Sequence, residues 1–212
     1  MNDTEFDLVL VDPNEKLCHA FELYFGDQAR VSVECGFFQS LETFDCMVSA
    51  ANSFGLMDGG VDGAITQFFG FQLMDRVQEH IIKAFRGEQP VGTSFIIETG
   101  HHQHRYLAHT PTMRIPMPIT ATDNVYAAMW AMLIAVWQHN QSSEDKIRTV
   151  ACPGLGTATG RVSPASAAKQ MALAYSNFYD PPTAISWPYA ADRQAAIGRG
   201  GDQGFLKLEK QS

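Results

Sequence analysis

The sequence predicts an α/β protein with a largely parallel or mixed sheet covered by helices on both faces. Two observations carry this expectation. Short apolar, β-branched runs alternate along the chain with segments of helical period. The 212 residues, 45% of them hydrophobic, suit one domain with a full core rather than two domains of ordinary size.

Taken in order, residues 6–12 (FDLVLVD), 29–34 (ARVSVE), 44–50 (FDCMVSA), 92–99 (GTSFIIET), 105–111 (RYLAHTP) and 146–153 (KIRTVACP) have the length and branched content of strands. Behind Asp12 and Pro13, Leu17, Phe21, Tyr24 and Phe25 recur at helical spacing. Val125, Met129, Met132, Leu133 and Val136 do the same behind a capping-type Thr122 or Asp123. A third helix is expected from Ser163 as N-cap and Pro164 at the first helical position, burying Ala168, Met171, Ala172 and Tyr175. Residues 1–180 thus read as the domain. Residues 181–212, rich in proline and glycine and without a sustained period, read as an irregular tail packed on it through Trp187 and Tyr189, or extending from it.

Bulk composition removes several classes of function. A net charge of −8 argues against broad electrostatic binding of nucleic acid, and no apolar run has the length of a membrane helix. The opening MNDTEFDLVL lacks the basic and apolar regions of a secretory signal, so a cytoplasmic location is expected. Cys18, Cys35, Cys46 and Cys152 show no CxxC spacing and read as buried small apolar residues rather than disulfides or a zinc site. His101, His102 and His104 form a tight histidine turn without an acidic or cysteine partner nearby in sequence, so no metal is expected there. Cys152 beside a glycine-rich loop lacks an identifiable histidine base and reads as a packed thiol rather than a nucleophile. No cofactor is expected.

Two strand-to-helix junctions are unusually poor in side chains: residues 50–63 (AANSFGLMDGGVDG) and residues 152–164 (CPGLGTATGRVSP). In an α/β sheet, ligands sit beyond the carboxyl ends of strands, and consecutive N–H groups at a helix start cradle anions. A diphosphate held between the two loops is the economical reading. The GLGTATG of residues 154–160 is close to a dinucleotide fingerprint, but no complete βαβ unit with an acidic residue about 20 positions on follows it. A P-loop fails as well, since no Lys-Ser or Lys-Thr pair follows the glycines.

The run DCMVSAANSFGLMDGGVDGAI (45–65) resembles the macro domain signature, in which a strand leads into Asn-Ala-Ala-Asn, a glycine-rich loop and Gly-Val-Asp-Gly before a helix; from Ala50 to Ile65 the match has no gap. GLGTATG resembles the second macro loop, and Asp12 stands where macro domains often carry the aspartate that binds adenine. The three elements span residues 6–178. The resemblance implies a three-layer α/β/α sandwich around a mixed, largely parallel sheet, and ADP-ribose or an ADP-ribosylated substrate as the partner; net charge and the lack of a membrane-length apolar run add the expectation of no nucleic acid and no membrane.

Carried over by position, the resemblance implies that Asp12 accepts the adenine amino group and that Asn52, beside Ala51, meets the distal ribose hydroxyls. Gly59, Gly60 and Val61 would present backbone to the ribose and diphosphate. Gly154, Gly156, Thr157, Ala158, Thr159 and Gly160 would form the phosphate-facing second loop. Asp62 matches the aspartate that orients water at the anomeric carbon in hydrolytic members, so Asn52 and Asp62 are the catalytic candidates. Simpler roles compete: Asp12 as a helix N-cap, Asn52 as a turn former, Asp62 as a first-turn acid favoured by the helix dipole.

The chain departs from the family pattern at three places. Ser49 replaces the first Asn, Asp58 intrudes among the glycines, and the second loop lacks the aromatic that often covers the distal ribose. Arg161, just past that loop, is placed either to offset Asp58 or to sit in solvent at the helix start. Binding is therefore better supported than chemistry, and three readings stay open: an ADP-ribosyl hydrolase or ADP-ribose 1''-phosphate phosphatase, a reader that binds without turnover, and a drifted domain that binds another nucleotide.

Overall fold

The computed structural model of the chain describes residues 5–26 and 28–198. Six strands form one sheet in the order β2-β1-β6-β3-β5-β4. They are β1 (Asp7–Asp12), β2 (Val31–Cys35), β3 (Cys46–Asn52), β4 (Phe95–Glu98), β5 (Tyr106–Met113) and β6 (Thr149–Cys152). All neighbours pair in parallel except β4 and β5, which are antiparallel. The result is a mixed, mostly parallel sheet.

Alternation along the central strands sorts the core into two layers. Leu8, Leu10, Cys46, Val48, Ala108, Val150 and Cys152 point to one face, against α1 (Glu15–Phe25), α4 (Asn124–Ser142) and α5 (Pro164–Tyr179). Val11, Met47, Leu107 and Ala151 point to the other, against α2 (Gly60–Phe69) and α3 (Gln72–Phe85). Helices on both faces make this a three-layer α/β/α sandwich.

The capping chemistry is mostly local and readable. Ser163 caps α5 by accepting from Ser166 N at 3.3 Å, with Pro164 in the first turn. For α1 the cap is Asn14, which accepts from Lys16 N at 3.1 Å, and not Asp12. Asp12 lies two residues earlier, and its carboxylate is used elsewhere.

Two expectations are corrected. Residues Trp187–Ile197 form a helix, α6, capped by Ser186, where the sequence reads as irregular. Its anchor is Arg193, which stacks over Trp130 at 4.7 Å and donates to the Tyr126 hydroxyl at 3.2 Å. Trp187 is 78% exposed, while Tyr189 takes part through Arg193, which bonds its hydroxyl and lies over its ring at 5.6 Å. The part of the expected tail from 199 to 212 lies outside the described residues. Second, Cys18, Cys46 and Cys152 are buried but Cys35 is exposed, because it ends the edge strand β2. No described helix is long and apolar enough to cross a membrane.

Candidate ligand-binding cleft

β1, β6 and β3 lie side by side, and the chain leaves β1 toward β2 on one side and β3 toward β5 on the other. Their carboxyl ends, Asp12, Cys152 and Asn52, therefore open a crevice at the point where the strand order diverges. A cavity of about 550 Å³ occupies this position. That volume falls within the roughly 300–1,000 Å³ of small-molecule sites.

All of the sequence-nominated residues line this cavity: Asp12, Ala51, Asn52, Gly59, Gly60, Val61, Asp62, Gly154, Gly156, Thr157, Ala158, Thr159 and Gly160. Asp58 lines it too, whereas Arg161 does not. Sequence reading missed the wall made by Gly36, Phe37, Phe38 and Gln39 after β2 and by Thr112, Met113 and Pro116 at the end of β5 and just past it. The parallel registry carries the signal that would have found them, because the strands beside β1 and β3 end at the same edge.

The first loop is built around Asn52. Its Oδ1 accepts from Phe54 N at 3.1 Å and Leu56 N at 3.3 Å, and its Nδ2 donates to Leu56 O at 2.8 Å. The turn-former role is thus real, and one amide hydrogen remains for anything in the cavity. Thr66 on α2 fastens the other end of the loop by donating to Met57 O at 3.0 Å. Gly59, the N-cap of α2, supplies no side-chain cap, so the first-turn N–H groups face the cleft with their dipole. A Cβ at Gly59 or Gly60 would meet open space, and Gly60 has φ +57°. These two glycines leave backbone bare toward the cavity.

The second loop is glycine-rich for a different reason. A Cβ on Gly154 would stand 2.3 Å from Leu17 Cδ2 and 3.0 Å from Asp12 Oδ2, and one on Gly160 would stand 2.4 Å from Gly156 O. Gly156 has φ +70° and is crowded by Val125 and Ile119. Its turns are closed by Val162 N on Gly156 O at 3.0 Å and Arg161 N on Ala158 O at 3.0 Å. In the first loop Gly59 and Gly60 have open space before them while Gly55 packs against Val77 and Ile81; in the second, glycine makes room for the protein itself.

Asp12 joins the two halves of the cleft. Its Oδ2 accepts from Gly154 N at 3.2 Å and its Oδ1 from Asn14 N at 3.0 Å, which leaves lone pairs on both oxygens. Asp62 sits in the first turn of α2, buried to 5% exposure. Ser49 Oγ donates to its Oδ1 at 2.6 Å. Burial pushes the Asp62 carboxyl up to about 6; the Ser49 bond pulls it down and the Asp58 charge pushes it further up. Asp62 therefore titrates close to neutrality.

Other nominated chemistry is absent from the cleft. Cys152 is buried and desolvation raises its thiol well above the ordinary value, which makes it an inert core group. His104 stacks on Phe44 at 3.8 Å and shares a hydrogen bond with Phe44 O at 2.8 Å, while His101 stacks beside it. Among the described residues no group of three His, Cys, Asp or Glu side chains has the geometry to hold a metal ion.

Comparison with known proteins agrees with this architecture. The family model described as Macro domain matches residues 48–171. An uncharacterized protein of Aeropyrum pernix is 30% identical over 166 residues, 78% of this chain and 77% of the relative. Another from Aquifex aeolicus is 30% identical over 127 residues, 60% of this chain and 70% of the relative. Among solved structures, the macrodomain of Mycobacterium tuberculosis DarG superposes with TM-score 0.53 at 19% identity, over 66% of this chain and 90% of that one. An Oceanobacillus iheyensis macrodomain gives TM-score 0.52 at 23% identity, over 74% and 82%. Thermosipho africanus DarTG, solved in complex with ADP-ribose, gives 0.50 at 14% identity, over 73% of this chain and 42% of that protein.

Proposed function

The chain belongs to the macro domain family, and from that premise we propose that its cleft binds ADP-ribose or an ADP-ribosyl group. The observation that carries the reading is the joining, in one cavity, of Asp12, the uncapped start of α2 and the 154–160 loop at the carboxyl ends of β1, β3 and β6. In this reading the free lone pairs of Asp12 accept the adenine amino group, since an ionised carboxylate only accepts. The bare backbone at 59–61 and the second loop take the diphosphate, where N–H groups and the α2 dipole favour negative charge. The remaining amide hydrogen of Asn52 meets the distal ribose. The ADP-ribose seen with the Thermosipho africanus relative supports this ligand class.

For chemistry we propose hydrolysis at the anomeric carbon of the distal ribose. Water adds to that carbon as its bond to the leaving group breaks; the leaving group departs with the bonding electrons, and the water proton passes to Asp62. A carboxylate that titrates near pH 6 is suited to a base at neutral pH, and Ser49 fixes which oxygen is free. Binding of adenine and diphosphate supplies orientation at the reacting carbon. The second reading, a reader without turnover, is favoured by one observation: Asn52 and Asp62 are both tied into internal hydrogen bonds. Incubation with ADP-ribosylated peptide and with ADP-ribose 1''-phosphate separates the two. Release of free ADP-ribose from either supports the enzyme, and retained binding with no product from either leaves the reader.

A further inference from the structure

The distal end of the cleft carries an unusual charge pattern. Asp58 is exposed at the mouth, one residue before the N-cap of α2, and Asp62 lies beneath it; both line the cavity. The two carboxyls are close enough that the Asp58 charge acts on Asp62. No Lys, Arg or His among the described residues lines the cavity at all. Arg161, the nearest cation along the chain to the second loop, is exposed and outside the lining. In the proposed binding mode the diphosphate thus meets backbone N–H groups and a helix dipole with no side-chain cation, and the start of α2 that flanks the distal ribose carries two acids, Asp58 and Asp62.

We infer that Asp58 makes this a site for ADP-ribosyl groups whose anomeric substituent is uncharged or cationic, and that it rejects a phosphate monoester at that carbon. The inference rests on the proposed ADP-ribose binding and names its substrate class. The physics is asymmetric. A 1''-phosphate brings about two further negative charges to a position with no cation to receive them and one solvent-facing carboxylate to repel them. A guanidinium or a neutral ester group meets no such penalty, and a cation is attracted. Rejection by a placed like charge is a common way to gain specificity at little cost to the wanted ligand.

Asp58 is exposed, so its variants are expected to fold and can be compared directly. Calorimetry at neutral pH and low ionic strength on the full chain, with ADP-ribose, ADP-ribose 1''-phosphate and ADP-ribosyl-arginine as probes, tests the idea. The wild type is expected to bind the 1''-phosphate about tenfold more weakly than ADP-ribose, and ADP-ribosyl-arginine at least as tightly. Asp58→Asn should shrink the first ratio to about twofold and Asp58→Glu should keep it, while added salt should reduce it in the wild type. Equal or tighter binding of the 1''-phosphate by the wild type overturns the inference and leaves ADP-ribose binding standing. So does a ratio that Asp58→Asn leaves unchanged. Failure of all three probes to bind overturns the reading beneath it, and the inference with it.

Discussion

Ser49 donates its hydroxyl proton to Asp62 Oδ1 at 2.6 Å, in a contact buried from solvent on both sides. Ser49 stands on β3 where the family pattern has an asparagine, and Asp62 stands in the first turn of α2, so the bond ties the end of the sheet to the helix that opens on the cleft. The hydroxyl offers one donor and leaves Oδ2 free, which makes Asp62 a carboxylate with one fixed and one available oxygen.

Keeping that carboxyl buried is unfavourable, and the cost has a sign. Asp62 holds its proton more tightly in the folded chain, where its pKa is about 6, than in the unfolded chain, near 3.8. Its favourable contribution is complete below the lower value and is lost as pH rises through the higher one, at a cost of roughly 3 kcal/mol by neutral pH. Asp62→Asn should therefore unfold at higher temperature than the wild type at pH 7 and lose that advantage toward pH 4. The same variant should lose turnover. Thermal melts across this range, with product assays alongside, check both halves.

Ser49→Ala removes the bond that favours the ionised form. The Asp62 carboxyl should then titrate higher, by about one unit for the loss of a charge-assisted hydrogen bond of roughly 1.5–3 kcal/mol shared with water or a neighbour. A carboxyl carbon titration followed by NMR reads this directly, and the acid limb of any activity profile should move the same way.

Gly60 and Gly154 should respond to substitution in opposite ways. Gly60→Val places a side chain in open space at φ +57°, so the fold should survive with a loss of roughly 1–2 kcal/mol while ADP-ribose binding is abolished. Gly154→Ala drives a Cβ to 2.3 Å from Leu17 Cδ2, so the melting temperature itself should fall. Melting curves and calorimetry on the two variants separate ligand space from packing space.

Arg193→Ala should release α6. The guanidinium stacks on Trp130 and bonds the Tyr126 hydroxyl, and no residue of α6 is buried. Hydrogen exchange should speed up in residues 187–197 and stay slow in α4 and α5, at a total stability loss of about 1 kcal/mol.

The parts of this molecule legible in the sequence are those where local chemistry and position coincide. Ser163-Pro164 announces α5, and the apolar runs announce the strands because every central strand is covered on both faces. In the 50–63 loop Gly59 and Gly60 are bare toward the cleft, whereas Gly55 is small because Val77 and Ile81 of α3 press on it. The 154–160 loop looked equivalent, but its glycines answer to Leu17 and Ile119, residues far away in sequence. The cap of α1 is Asn14, immediately before Glu15, while Asp12 accepts from Asn14 N and, across 142 positions, from Gly154 N. The helix at 187–197 was hidden by a preceding proline-rich stretch, and its hold on the body is long-range: Arg193 on Trp130 and Tyr126, and Ile197 against the core. Long-range packing is what period and composition do not carry.

The central claim is that the cleft takes ADP-ribose, and calorimetric titration of the full chain with ADP-ribose, beside AMP and NAD, tests it most directly. The account predicts saturable binding of one ADP-ribose per chain, tighter than that of AMP because diphosphate and distal ribose add contacts, and weakened when Asp12 is changed to alanine. The absence of any ADP-ribose binding at about millimolar concentration, the weak end of the affinity scale, by a protein that melts cooperatively would contradict it.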